Sequence, residues 1–297
     1  MSTVTYLILL HNNEQDLPQL VDSIKNIECS FRKEYIIVDD ASTDKTQSVA
    51  QKLFASLPRV TIISNNTYSG PSCSIKNVMN LIQGEYVHFV FGGHLVEPFA
   101  TMKLINACLT LGAELAFGLH GTINALSNKC KNAYDTGDTV LIEVPIKAVL
   151  DNKIQDIRTI GYSGTVMTHR LLTKISGADT SIFLHNMSLV LRAGKYSKFS
   201  AVKETLYYIS EASTTLYDKK FEEYDNLRAI SNFIEAHPEI AECYKSEIYK
   251  ALWSILWSLD KYNIRTLPRY VLSRYLEKNL EFSDLMKLYR EYIDKLG

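Results

Sequence analysis

The stretch "YIIVDDASTDKT" (Tyr35 to Thr46) decides how this chain is read. It is a short apolar run that ends on two adjacent aspartates and then on a polar turn. A run of that length and character is the mark of a strand buried on both faces. Paired carboxylates at its end are costly to bury unless something engages them. A base N–H, ribose hydroxyls or a metal would each do so; equally, Asp39 and Asp40 can serve the following turn, for which Asp-Ala-Ser-Thr-Asp is good chemistry.

Outward from this stretch the same pattern repeats. "VTYLILL" (4–10), "RVTIIS" (59–64) and "YVHFVF" (86–91) are further apolar runs. Between them lie stripes at helical spacing: Leu17, Leu20, Val21, Ile24 and Ile27, with Pro18 in the first turn; then Val49, Ala50, Leu53 and Phe54; then Ile75, Val78, Met79 and Ile82. Strands alternating with helices predict βαβ units and a mainly parallel sheet with helices on both faces, an α/β fold. Ligands in such sheets bind beyond the carboxyl ends of the strands. The candidate places are therefore His11–Asn13, Asp39–Asp40, Asn65–Gly70 and Phe91–His94.

Farther along, Leu104, Ala107, Cys108 and Leu111 predict a helix, "ELAFGLHG" and "TVLIEVP" predict strands, and "SNKCKNAYDTGD" reads as a loop. "HRLLTKISG" reads as a helix ending at Gly177. From about 215 the pattern turns helical: Leu252, Ile255, Leu256 and Leu259 form a stripe, with Trp253 and Trp257 beside it, and "LPRYVLSRYLEKN" reads as another helix. The expected organisation is a main domain over 1–215 and a C-terminal helical extension over 216–297.

With 297 residues, 46% hydrophobic and 22% charged, the composition is that of a globular protein. A net charge of −1 offers no basic excess for nucleic acid. Five scattered cysteines without a CxxC pair suggest reduced thiols and a cytoplasmic setting. The N-terminus predicts no signal peptide, and no apolar run reaches the roughly 20 residues of a membrane span.

Three ordered segments carry a resemblance. "LILLHNNEQDLPQLVDSI", "YIIVDDASTDKT" and "SNNTYSGPSCSIKNVMNLIQGEY" resemble the family 2 glycosyltransferases, inverting enzymes with the GT-A fold, in which the second segment reads Val-Asp-Asp-Gly-Ser-Thr-Asp. "GTVMTHRLLTKISGADTSIF" resembles the family's acceptor-side segment. The resemblance implies a nucleotide-sugar donor at the strand tips. Asp39 and Asp40 match the pair that holds base and ribose. Asn66, Gly70 and Lys76 fall in the matching donor segment, where Lys76 replaces the usual arginine and loses its bidentate fork. His11 stands near a position usually filled by a small polar residue.

Two departures accompany the resemblance. Glu85-Tyr86 and Glu97-Pro98 set the register, and the metal-binding Asp-x-Asp then falls on Phe91, Gly92 and Gly93, with the adjacent aspartate on His94. Mg²⁺ or Mn²⁺ is usual in the family and prefers carboxylate oxygens, which these residues lack, so no cofactor is expected to be required. His94 is a substitute ligand, a protonated phosphate partner or a plain surface histidine. The family's Glu-Asp base pair falls on His185 and Asn186; of these only histidine can act as a base, and it can equally be a histidine at a helix start.

The expected activity is transfer of a sugar from the nucleotide-sugar donor to a saccharide or lipid-linked acceptor, inverting, in surface-polysaccharide assembly. The alternative is a catalytically silent relative that binds a nucleotide sugar, glycan or partner protein. A nucleotidyltransferase fits less well, since no Gly-rich phosphate loop follows the first strand. Lys261, Arg265, Arg269, Arg274 and Lys278, with the neighbouring aromatics, suit peripheral contact with the inner face of a membrane, an ordinary solvated face, or an oligomer interface.

Overall fold

The structure is a computed structural model that describes residues 2–123, 129–130, 135–151, 160–210 and 219–259. Four parallel strands, β1 (Thr3–Leu10), β2 (Arg32–Asp39), β3 (Val60–Ser64) and β4 (Tyr86–Phe91), form the first half of the sheet, as their apolar runs predict. Helices α1 (Leu17–Lys25), α2 (Thr46–Phe54) and α3 (Gly70–Asn77) connect them. On α1, Leu17, Leu20, Val21 and Ile24 turn inward, and Pro18 stands in the first turn, where its missing N–H is not needed. The third helix is shorter than its stripe predicts: it stops at Asn77, and Met79–Leu81 form a single 3-10 turn. Asn77, Val78 and Asn80 are weak helix formers, and the chain tightens there to i→i+3 bonding.

Strand β1 lies between β2 and β4, with Leu10 opposite Asp39 and Leu9 opposite Phe91. That register brings the aspartate pair and the Phe91–His94 tip to the same edge of the sheet, on either side of His11. The order of the sheet is β3-β2-β1-β4-β9-β6-β10-β5, counting β5 (His94–Val96), β6 (Leu115–Ile123), β9 (Thr165–Thr168) and β10 (Phe199–Ser210). Strand β9 is antiparallel to β4 and β6, and β10 is parallel to β6. Strands β7 (Lys129–Cys130) and β8 (Thr139–Ile142) are added to β6 and β10. Because β4 leads straight into β5 through Gly92 and Gly93, yet β5 pairs at the far end with β10, the sheet curls. Helix α4 (Ala100–Leu111) follows, ending at the left-handed Gly112.

By packing, the chain divides into Met1–Pro145 with Asp156–Leu216, and Ile146–Gln155 with Tyr217–Gly297. The second unit takes in most of helix α5 (Pro145–Leu150), which lies well ahead of the tail in sequence. In it, Lys147 forms an ion pair with Glu247, and α8 (Lys219–Ala236) packs on α10 (Lys245–Leu259), with α9 (Pro238–Cys243) between them in sequence. Leu227, Ile230, Phe233, Leu252 and Trp253 are buried. The expected helix over 267–279, the tail cations, and the side chains of Leu256, Trp257 and Leu259 lie outside the described residues. Among the described residues no helix is long and apolar enough to cross a membrane.

One polar chain crosses the core of the first unit. Tyr6 on β1 bonds Thr101 on α4 at 3.0 Å, Thr101 meets His88 Nδ1 on β4 at 2.9 Å, and His88 Nε2 donates to the Ser163 carbonyl at 2.8 Å. All four residues are fully buried, so each unmade bond would leave a desolvated polar group. Thr101→Val keeps the shape but removes the central hydroxyl; it is expected to lower unfolding stability by about 1–3 kcal/mol in urea titrations, with the slope of the transition unchanged.

Candidate functional site

The two aspartates at the end of β2 have different environments. Both are nearly buried. Asp40 is saturated: its Oδ1 accepts from Asn65 Nδ2 at 2.8 Å and from the Ser69 hydroxyl at 3.2 Å, and its Oδ2 accepts from the Gly70 amide at 2.7 Å. The Ser69 amide donates to both oxygens, at 3.2 and 3.3 Å. The carboxylate thus sits on the first turn of α3, where its charge opposes the helix dipole. Asp39 has one oxygen, Oδ1, engaged by the Ser42 hydroxyl, while its Oδ2 carries no hydrogen bond among the described residues. Of the matched pair, Asp39 retains acceptor capacity for a ligand, and Asp40 holds the loop.

The surrounding turns are laced together. The Asn12 amide donates to Ser42 Oγ at 2.9 Å, the Thr43 amide to Asn12 Oδ1 at 2.8 Å, and the Asn13 amide to Thr46 Oγ1 at 2.7 Å. Asn12 and Ala41 both have positive φ, 52° and 53°. Ala41 holds this left-handed conformation where the resembling motif has glycine. His11 Nδ1 donates to the Asp40 carbonyl at 2.7 Å, and the His11 ring stacks on Tyr68 at 3.9 Å, 20° from parallel. Tyr68 in turn meets Phe183 edge-on at 5.3 Å, and Asn66 is exposed beside it. A Cβ on Gly70, whose φ is +85°, would lie 2.6 Å from the Phe183 ring, which accounts for the glycine.

Lys76 is directed elsewhere than expected. Its Nζ donates to the Ser176 carbonyl at 2.6 Å. Arg192, on α7 (Asn186–Gly194), donates to the flanking Ile175 and Gly177 carbonyls, both at 2.7 Å. Both cations hold the C-terminal end of α6 (His169–Lys174), where cations are favoured. Neither is placed as a free phosphate partner.

At the β4 tip, a Cβ on Gly92, the middle position of the matched Asp-x-Asp, would meet Asn13 Oδ1 at 1.9 Å, which accounts for the glycine. Gly93 has φ +76°, a conformation that favours glycine. Phe91 stacks on His185 with ring centres 5.3 Å apart and planes 12° from parallel, and Tyr162 packs on Phe91 at 4.8 Å. The positions that match the family's metal ligand and its base therefore touch each other inside one cluster of rings.

The two histidines of that cluster are not surface groups. His94 is 4% exposed, with Nδ1 2.8 Å from Ser163 Oγ and its ring stacked on Tyr207. Ser163 Oγ also accepts from the Phe91 amide at 2.9 Å, which ties His94 to the end of β4. Burial, reinforced by His120, pushes His94 down to about 3, so it is neutral and cannot serve as a protonated phosphate partner at pH 7. His185 is fully buried; its Nε2 donates to the Gly161 carbonyl at 2.8 Å, and its Nδ1 has no partner. Burial lowers His185 to about 4, partly offset by the Gly161 bond, which leaves it unprotonated but weakly basic. Asn186 begins α7 and is also buried.

Among the described residues, no group of three or more His, Cys, Asp or Glu side chains could hold a metal ion. The residues at the family's metal positions do not fit Mg²⁺ or Mn²⁺, which prefer several oxygens. Sequence reading placed Asn13 and Tyr68 within the candidate tips without giving them a role, and it missed Tyr162 and Ser163. His88 gave a signal, being a polar residue inside an apolar strand, whereas Ser163 lay in an unassigned glycine-rich stretch.

Asp40→Ala is expected to cost about 1–3 kcal/mol of stability by freeing the α3 amides, and Asp39→Ala well under half of that, as paired urea titrations would show. A second expectation concerns pH. Burial sets His88 and His185 to about 4 and His94 to about 3, all below the ordinary 6.5 of an unfolded chain. The stability tied to their neutral forms is complete above the unfolded value and is lost as pH falls toward the folded ones, on the order of 1 kcal/mol per pH unit for each ring. Unfolding midpoints that stay flat between neutral pH and about pH 5 would refute this.

Comparison with known proteins agrees with this geometry. Residues 5–134 match the sequence model of Glycosyl transferase family 2. No curated protein sequence matches the chain. Among solved structures, S. aureus TarS 1-349 superposes with a TM-score of 0.65 at 15% identity, over 99% of this chain and 83% of that one. The same protein in complex with UDP-GlcNAc gives 0.62 at 15% identity, over 99% and 83%, and in complex with UDP 0.63 at 15%, over 91% and 78%. At that identity the likeness speaks to the fold, which is GT-A. The family match covers residues 5–134, under half of the chain, and is a likeness of that segment to Glycosyl transferase family 2.

Proposed function

We propose that this protein binds a nucleotide sugar at the tips of β1, β2 and β3 and transfers the sugar to a saccharide or lipid-linked saccharide. The observation that carries the reading is Asp39: a nearly buried carboxylate at a strand end, with one oxygen held by Ser42 and the other without a hydrogen bond, inside a family 2 segment. An acceptor so placed suits a base N–H or a ribose hydroxyl. His11, Asn66, Gly70 and the exposed Tyr68 line the same edge and support it. The TarS complexes make UDP and UDP-GlcNAc the first donors to try.

The transfer is an inverting displacement: the acceptor oxygen forms a bond to the anomeric carbon as the carbon–oxygen bond to the diphosphate breaks. The hydroxyl proton leaves to a base, for which His185 Nδ1 is the candidate, its lone pair being unpartnered. The transferase domain spans 1–215, and the helices from 216 onward supply acceptor, membrane-surface or self-association contacts in surface-polysaccharide assembly at the cytoplasmic face.

A second reading, a silent binding protein, is favoured by one feature: Phe91 stacks on His185, so both catalytic positions are covered. Two measurements separate the readings. Thermal unfolding of the full chain with UDP-, GDP-, TDP- and CMP-sugars is expected to show stabilisation by one of them, lost in Asp39→Asn. No shift across the panel would end the transferase reading and leave only a silent protein that binds a glycan or a partner protein. Release of free nucleotide by wild type but not by His185→Ala, with the thermal shift intact in the variant, would establish the transferase; binding without any release would leave the silent protein.

A further inference from the structure

We infer that this protein takes its nucleotide diphosphate without a divalent cation, because the cation's place is built as closed core. The inference rests on the nucleotide-binding reading above and concerns the half of the site beyond the nucleoside.

Each position that could hold an ion is committed to something else. Phe91 offers no oxygen, and its ring lies flat on His185 while Tyr162 closes another side. Gly92, between the two matched ligand positions, is backed by the Asn13 carboxamide, whose Oδ1 accepts from the His11 amide at 2.8 Å, so the turn that carries them is packed onto the β1 tip. Gly93 stands at φ +76°, where a side chain is strained. His94 is buried, with its Nδ1 paired to Ser163 Oγ at 2.8 Å and its ring stacked on Tyr207, so it is packed into the core and not presented to an ion. The lone pair on His185 Nδ1 is fully buried beneath Phe91. Of these residues and the aspartate pair, what remains is the Asp39 oxygen that carries no hydrogen bond among the described residues, and Mg²⁺ or Mn²⁺ is not held by a single carboxylate.

The replacement is concerted. Phe91 stands at the metal position and His185 at the base position, and each covers the other. Reverting one alone would put a carboxylate against a ring and leave it desolvated, which is unfavourable. A cation-bound nucleotide would also bring its ion against this ring-lined wall, so the free nucleotide is the better ligand.

The test is calorimetric titration of the full chain with UDP, GDP, TDP and CMP and their sugars, in EDTA and again in millimolar MnCl₂ or MgCl₂. The expected result is binding in EDTA with Kd within about threefold of the value with metal. Binding that appears only with metal, or weakens by about tenfold or more in EDTA, overturns the inference while leaving the nucleotide reading standing. No binding in either condition overturns the nucleotide reading, and this inference with it. Asp39→Asn, titrated in parallel, is expected to lose binding equally in both buffers; loss confined to the metal buffer would show Asp39 acting through an ion and would also overturn the inference.

Discussion

The site edge of the sheet depends on one carboxylate. Asp40 gathers the Asn65 amide group, the Ser69 hydroxyl and the first amides of α3 onto its two oxygens, and its own amide and carbonyl bind Leu10 and His11. It therefore fixes the tips of β1 and β2 and the loop after β3 together. Asp39 can keep an oxygen uncommitted because its neighbour carries the structural burden. The adjacency of the two carboxylates is a division of labour: one group satisfied by the backbone, the other left for a ligand.

On the far side of β1, the same edge has been rebuilt with rings. Phe91, Tyr162, His94, His185 and Tyr207 pack against one another where charged ligands stand in related enzymes. Hard cations are held by oxygens; a dry aromatic cluster holds itself by burial and stacking and needs no ion for order. The β1–β2 side and the β4 side of this edge thus follow different physics in one fold. The first is polar and hydrogen-bonded, and the second is apolar and close-packed.

Much of this was legible in the sequence, for definite reasons. The strands at 4–10, 35–40 and 86–91 are short apolar runs buried on both faces, the strongest signal of a parallel sheet, and the run at 59–64 adds a partly exposed strand at the end of the order. The missing carboxylates at 91–94 and the histidine at 185 could be read from motif register. Strands β5 and β9 could not: three and four residues long, they exist because β10 and β4 offer them partners. Strand β10 carries Lys203 and Glu204 in its middle, which masks its pattern. Side-chain direction was the other blind spot. Nothing in the sequence says that Lys76 reaches for Ser176, that Asp40 is saturated, or that His94 is buried, because each follows from the tertiary placement of a distant segment.

The polar chain through the core has an orientation that follows from one end. The Ser163 carbonyl can only accept, so His88 must present Nε2–H to it and keep Nδ1 bare; Thr101 must then point its proton at His88, and Tyr6 must point its own at Thr101. The Ser163 hydroxyl, which accepts from the Phe91 amide, joins His94 to the same row. No hydroxyl along the way can rotate without orphaning a buried atom. A line of hydroxyls and imidazoles running from β1 to Ser163 looks like a conduit for protons, yet a conduit must be able to reverse its polarity after each passage, and this one is rectified at the Ser163 carbonyl. It is a fixed row of aligned dipoles, useful as a rivet and closed to traffic.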